Sequence, residues 1–538
     1  MVNAPEPEPP SRSRGALYLG LLLGAETVIY ALFRLPTDLG FDANAFGDRG
    51  DFISISYLVG HGSRPAIDFG YHWGLVPIVV ARTWFAIFGA TAQANEAIMV
   101  VCALLVAAGM ARMAAALRLG PLGVTLLVIA LPFAFPTFTL TYALEAALLS
   151  NALAEQAARR RSTALALATA ACFVNPSMAY LYGFVLLLEL WWENRRSGDA
   201  GGSPIDRSRE ARAKILLTIA PAAIVGVLLI LILCAVYGPL VLAKTLLPLA
   251  GMAAHRNQAS GFFRGAGRDF WYKPHLAWPF YLYTVVGFWI AASLWLLVAG
   301  LRAGRRLLQT RRVRGALVAA DEVVLTCNIL HVTFVTVFFG SAVSWRYYCY
   351  ILVMGVAAAS VRDLLSARLA GLLAALAMLG NVSHFARIAV EWRTMAPSPV
   401  TAGMWASAED VQEWQQVQRA IGSHRALLLT AMGSGPLLSD RFEPPFANHF
   451  TPGELMPGQL ARLMRQIDSA QRIVAVIGSG FGNMLVWWPS IQRALDGHEL
   501  LWKGKSFAVY GGPTRADVAE GALTSGCVPV RMRTGGCY

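Results

Sequence analysis

The stretch FDANAFGDRGDFISISYLVGHGSRPAIDFGYHWGLVPI (41–78) gathers Asp42, Asp48, Asp51 and Asp68 soon after the first long apolar run. Carboxylates grouped this way at a membrane surface suit proton transfer or ion binding, and the simpler reading is a set of solvated loop residues. Asp48 and Asp51 stand three apart, as DRGD. A second stretch, HRNQASGFFRGAGRDFWYKPH (255–275), carries His255, Arg256, Arg264, Arg268, Lys273 and His275, cations suited to anionic headgroups. In SAVSWRYYCYI (341–351), Arg346 sits among Trp345, Tyr347 and Tyr348, the make-up of an aromatic belt with a snorkelling Arg. Glu145 stands out inside an apolar run as a polar site candidate, whereas Asp321 and Glu322 follow a basic loop and fit an Arg-paired helix end.

Lipid must be the main solvent of the elements that carry these groups. The chain has 538 residues, 56% of them hydrophobic and 14% charged, and a mean hydropathy of +0.51, too apolar for a water-soluble protein of this length. Runs such as 15–33, 215–237 and 277–301 can cross a hydrocarbon core of about 30 Å. No secretory cleavage site follows the Pro-rich N-terminal tail. The net charge of +13 comes largely from Arg clusters at 159–161, 195–214, 302–314 and 362–368, the positive-inside signature of cytoplasmic loops. Nucleic-acid binding is excluded on that ground.

If those loops share one side, an even number of crossings separates neighbouring clusters. The sequence then predicts an α-helical polytopic membrane protein of about 11 transmembrane helices: 15–34, 95–117, 121–138, 140–157, 162–174, 177–193, 214–236, 278–301, 317–340, 347–361 and 368–386. The pair 162–174 and 177–193 meets at Asn175-Pro176, and 73–89 is a juxtamembrane helix. A cytoplasmic tail (1–14) precedes this membrane module (15–386), whose external loops are 35–94 and 237–277. Residues 387–538 form a small C-terminal extracytoplasmic α/β domain, with strands at 425–432, 472–478 and 506–512 and helices around 408–421, 458–470 and 483–496. Five of the seven cysteines lie in apolar spans, while Cys527 and Cys537 could close a terminal disulfide loop. VIGSGFGN (476–483) has the wrong glycine spacing for a dinucleotide loop and reads as a strand-to-helix turn. Trp487 and Trp488 could stack on sugar rings or pack the domain.

The order of residues in the first external loop resembles the C-type (GT-C) polytopic glycosyltransferase superfamily, which includes protein mannosyltransferases and the lipid A aminoarabinose transferase. Its features are an acidic residue soon after the first span, a helix, a Gly-x-x-Pro-x-x-Asp-Phe turn, an aromatic and Gly/Pro element, and an apolar helix ending in Phe-Gly. This chain supplies Gly62, Pro65, Asp68, Phe69, Tyr71, Gly74, Phe88 and Gly89 in that order. It departs from the pattern in having two acids, Asp48 and Asp51, where relatives often have one followed by an aromatic. The resemblance implies transfer of a sugar from a polyprenyl-phosphate donor to a hydroxyl of a glycan, lipid or protein acceptor on the external face of a bacterial plasma (inner) membrane. Asp48 or Asp51 would be the general base. Asp68, His72, Arg256, Arg264, Arg268, Lys273, His275, Arg346 and Tyr347 would bind substrate or its leaving phosphate. The reaction requires no cofactor, although Asp48, Asp51 and His61 or His72 could hold a divalent cation with phosphate oxygens. A transporter or flippase for a lipid-linked or anionic substrate, and a scaffold of envelope polysaccharide assembly, remain alternatives.

Overall fold

A computed structural model describes residues 11–71, 73–134, 139–197, 204–247, 286–298, 326–330, 348–360, 367–430, 435–439, 441–445, 457–477 and 488–513, with the single positions Thr284, Leu301 and Thr333. The first apolar run folds as α1 (Ser11–Phe33) and leads into two short helices, α2 (Leu35–Asp38) and α3 (Phe41–Ala45). A 3-10 turn at Asp48–Gly50 then opens α4 (Asp51–Gly60), and α5 (Val76–Phe88) follows a loop. The helices α6 (Ala92–Leu117), α7 (Pro121–Ala130), α8 (Leu140–Ala157), α9 (Arg161–Cys172), α10 (Pro176–Ser197), α11 (Pro204–Tyr237) and α12 (Pro239–Leu246) come next. They are followed by α13 (Val286–Val298), α14 (Cys349–Ala359) and α15 (Ala367–Thr394).

Among the described residues, three segments are long and apolar enough to cross a membrane: Ala92–Leu117, Ala213–Tyr237 and Arg368–Thr394. Their surroundings differ. The apolar window of the first is 56% buried and that of the second 11%, so α6 is central while α11 turns Leu217, Ile224 and Leu231 outward. An all-round apolar helix with an exposed face fits a lipid solvent. The helix expected over 73–89 appears as α5, closed by Gly89 at φ 82°. The expected span 317–340 lies almost wholly outside the described residues.

The last membrane-type helix, α15, runs on to Thr394, past the boundary expected at 386. A short antiparallel pair follows, β1 (Met395–Pro397) with β2 (Trp405–Ser407). Next comes α16 (Ala408–Ile421), capped by reciprocal bonds between Ser407 and Asp410 and stopped by Gly422 at φ 62°. The strands β3 (Ala426–Leu429), β4 (Phe442–Glu443), β5 (Ile473–Val476), β6 (His498–Lys503) and β7 (Phe507–Pro513) form one sheet in the order β4-β3-β5-β7-β6. The β4-β3-β5 pairings are parallel and those of β7 antiparallel. Alternate residues point to opposite faces. Leu428, Val474 and Val476 pack with Trp414 and Val417 of α16. Leu427, Leu429, Ile473 and Ala475 pack with α17 (Pro457–Ser469) and α18 (Pro489–Leu495). Trp488 packs against this second face.

The sheet and the helical bundle are joined through the first loop. Leu39, Phe41 and Phe46 are buried in the core beneath α16, with Phe41 and Phe46 edge-on to Trp414 at 5.5 and 6.0 Å. Trp405 donates its backbone N–H to the Leu39 carbonyl at 2.9 Å, and the Trp392 indole donates to the Phe33 carbonyl at 2.6 Å. Gln93 donates to the Gly403 carbonyl at 3.2 Å. The ends of α1 and α15 and the start of α6 therefore meet beside the sheet.

Candidate functional site

The DRGD turn is pinned by Arg49, the first of the two residues between its acids. Arg49 is 6% exposed and points into the protein. Its guanidinium bonds Glu96 through Nη2 at 2.6 Å and Nε at 3.0 Å, and Nη2 reaches Asp38 at 3.0 Å. Asp38 also takes Arg34 at 2.7 Å, and Asn95 donates to the Arg49 carbonyl at 2.8 Å. Two cationic and two acidic side chains, all buried, balance in formal charge, as burial of charge requires. The cluster ties the exit of α1, the 3-10 turn and the start of α6 together. It holds the backbone of Asp48 and Asp51 from three sides of the chain.

Asp51 opens α4, where the unpaired N–H groups of a helix N-terminus favour a negative side chain. It is fully buried and lies near enough to Tyr71 for its charge to act on the phenol. Burial first, and Asp51 second, push the Tyr71 hydroxyl well above its ordinary value, so Tyr71 stays a neutral phenol. That hydroxyl donates to the Gly74 carbonyl at 2.7 Å. From the other side, the sheet part covers the turn: the Gly435 N–H donates to Ser54 Oγ at 2.7 Å, and a Cβ on Gly435 would stand 2.3 Å from the Gly50 carbonyl oxygen. Thr37 donates to Glu391, closing the edge against α15.

Asp68 has a local role. It receives the Arg64 backbone N–H at 2.8 Å and the Arg64 side chain at 3.0 and 3.3 Å, which holds its carboxyl below the usual carboxylate range. This closes the Gly62–Phe69 turn, with Gly62 at φ 86° and Phe69 fully buried. Asp42, solvent-exposed at its surface but crowded by the fold and faced by Asp410, has its carboxyl raised. His61 stacks on Tyr57 at 4.0 Å and contacts the Tyr57 carbonyl through Nδ1.

Beyond Tyr71 the loop enters the bundle. Gly74 N–H donates to the Val174 carbonyl at 2.9 Å and Val76 N–H to the Phe173 carbonyl at 3.1 Å. A Cβ on Gly74 would lie 1.9 Å from the Phe173 oxygen, so only glycine fits. The acceptors belong to the α9–α10 break, where Asn175 Nδ2 donates to Glu145 Oε2 at 2.7 Å. With 12 residues, α9 rises about 18 Å, short of a full crossing. The break is therefore an internal joint whose freed carbonyls are satisfied by the loop.

Of the expected site residues, the structure brings Asp51 and the backbone of Asp48 to one buried turn and leaves Asp68 to its loop ion pair. His72, Arg256, Arg264, Arg268, Lys273, His275, Arg346 and Tyr347, the cysteines Cys527 and Cys537, and Asp321 and Glu322 lie outside the described residues. Sequence reasoning missed Asp38, Arg49 and Glu96 as a group. The available signal was their position: three charges at the ends of apolar runs, each needing a partner. No family model, no curated protein and no solved structure matches this chain.

Proposed function

We propose that the chain is a lipid-linked-sugar-dependent, inverting glycosyltransferase of a bacterial plasma membrane, working on the face where the sheet part sits. In this reading residues 15–386 cross the membrane eleven times from a cytoplasmic N-terminus, and residues 387–538 form an extracytoplasmic α/β domain. Asp51 or Asp48 takes the proton of the acceptor hydroxyl as its oxygen attacks the anomeric carbon. The bond from that carbon to the phosphate oxygen breaks with its electron pair, and the polyprenyl phosphate leaves. The observation that carries the reading is the buried Asp51 at a helix start, in the joint between bundle and sheet. A solvated loop carboxylate needs no such enclosure, whereas a base gains from water exclusion and a fixed orientation.

The experiment is turnover of a panel of radiolabelled polyprenyl-phosphate sugars by the purified chain, with membrane extract as acceptor source. Consumption of one donor by the parent, and its loss in a folded Asp51→Asn or Asp48→Asn variant, is the expected result and assigns the base. A parent that consumes none, or two variants that both match it, removes the catalytic reading. The break at Asn175-Pro176 beside a buried carboxylate also suits a transporter. Accumulation of a lipid-linked sugar on one face of liposomes, without turnover, would favour that reading.

A further inference from the structure

We propose that Glu145 is the hydrogen-bond acceptor of an intramembrane subsite that takes a hydroxyl of the sugar carried by the lipid donor, an assignment that rests on the transferase reading above. Glu145 is 1% exposed. Its Oε2 accepts from Asn175, and its Oε1 has no hydrogen-bond partner among the described residues. A carboxylate oxygen left unpaired in a low-dielectric interior is costly, and a structural ion pair would have filled it. The backbone around it is not loose, because the loop from Gly74 to Val76 bonds the Phe173 and Val174 carbonyls at the break. The unfilled acceptor is thus held in place by a fixed joint.

The surroundings define the chemistry of the occupant. Glu145 is neighboured by the side chains of Tyr182, Tyr348 and Tyr350, all buried. Flat phenol rings, a carboxylate and an amide offer both stacking faces and polar contacts, which suits a polyol. A hydroxyl pairs with an open carboxyl oxygen as donor or as acceptor, so an O–H of the ligand supplies the contact that Oε1 lacks. Neighbouring rings run from the base to this point: Tyr71 to Trp73 at 5.6 Å, Trp73 to Tyr142 at 6.4 Å, and Tyr142 to Tyr348 at 5.6 Å. From the start of α8 at Leu140, Glu145 is about 8 Å along the helix axis. A headgroup tethered to a lipid reaches that depth from the interface.

The test uses the full-length chain in detergent, in an Asp48→Asn/Asp51→Asn background that removes both candidate bases, and reads binding of tritiated polyprenyl-phosphate glucose and mannose. Glu145→Gln is the deciding variant. Its carbonyl oxygen can keep the Asn175 bond while its NH2 replaces the acceptor Oε1 with a donor. The expected result is about tenfold or greater loss of affinity for the bound donor, with unchanged thermal stability and unchanged affinity for sugar-free polyprenyl phosphate. Glu145→Ala, which also breaks the Asn175 bond, should lose both donor affinity and stability. Equal donor binding by Glu145→Gln and its parent overturns the subsite, as does an equal loss for sugar-free polyprenyl phosphate. A parent that binds neither donor overturns the subsite together with its link to the transferase reading. A parent that binds a donor while Glu145→Gln binds it equally well overturns the subsite alone and leaves the transferase reading standing.

Discussion

Replacing Arg49 by Met tests whether the buried charge cluster holds the DRGD turn. The parent cluster is neutral, with Arg34 and Arg49 facing Asp38 and Glu96. Arg49→Met leaves one cation and two carboxylates. Asp38 keeps Arg34 at 2.7 Å, so the loss falls on Glu96, which gives up contacts at 2.6 and 3.0 Å in a setting where its side chain is 10% exposed. Stranding one partner of a buried pair costs about 3–5 kcal/mol. The second step separates this from loss of packing. In Arg49→Met/Glu96→Met the stranded charge is gone and the Arg34–Asp38 pair remains, so at least half of the lost stability should return. The assay is the fraction of monodisperse protein that survives a heating series, read by size exclusion in detergent. Arg49→Met should fail at a clearly lower temperature and the double variant should recover. A single variant that survives like the parent, or a double variant no better than the single, refutes the reasoning.

The tight glycine contacts give paired outcomes. Gly74→Ala should abolish folded yield, because its methyl meets the Phe173 oxygen at 1.9 Å, whereas Gly60→Ala, with nothing within 4 Å, should leave yield unchanged. Gly435→Val should lift the sheet part from Gly50. A cysteine placed at Ser54, shielded in the parent background, would then react with a membrane-impermeant maleimide; continued protection would count against the cover. For the Arg64–Asp68 pair the folded carboxyl is depressed, so its contribution is present above the unfolded value and is lost as pH falls through the folded one. Hydrogen exchange of the 61–70 loop should rise on acidification below the ordinary carboxylate range, and Asp68→Asn should remove that pH dependence. Both side chains retain exposure, so the effect on global stability should be small.

Apolar length and strand composition made much of the architecture readable: the helix at 408–421 and the cores of β3, β5 and β7 fall where periodicity placed them. The strand β6 did not announce itself, because HELLWK is an edge strand with only His498 buried, and an edge lacks the alternation that a half-buried strand shows. At the site, the local pattern identified Asp48 and Asp51 but not what holds them. Nothing within DRGD itself marks Arg49 as a buried ion-pair partner. Its partners lie 11 positions back and 47 positions on, and no local period encodes such a pairing. Phe41 and Phe46 likewise read as loop residues, although their burial depends on Trp414 and Phe507 far along the chain.

These long-range contacts explain why the acidic loop can be irregular and still rigid. Its residues 35–60 hold only short helices, which have little stability of their own in water. On the bundle side the loop is fixed by charge, through Arg49, Asp38 and Glu96. On the sheet side it is fixed by apolar burial, through Leu39, Phe41 and Phe46. Farther along, Gly74 and Val76 add backbone bonds to the α9–α10 joint. Each attachment uses a different interaction, and Asp51 lies between the first two. Loosening the sheet part should therefore leave the ion cluster formed but open Asp51 to water, while breaking the cluster should displace Asp51 even with the sheet folded. A carboxylate enclosed in this way depends on both parts of the chain for its environment.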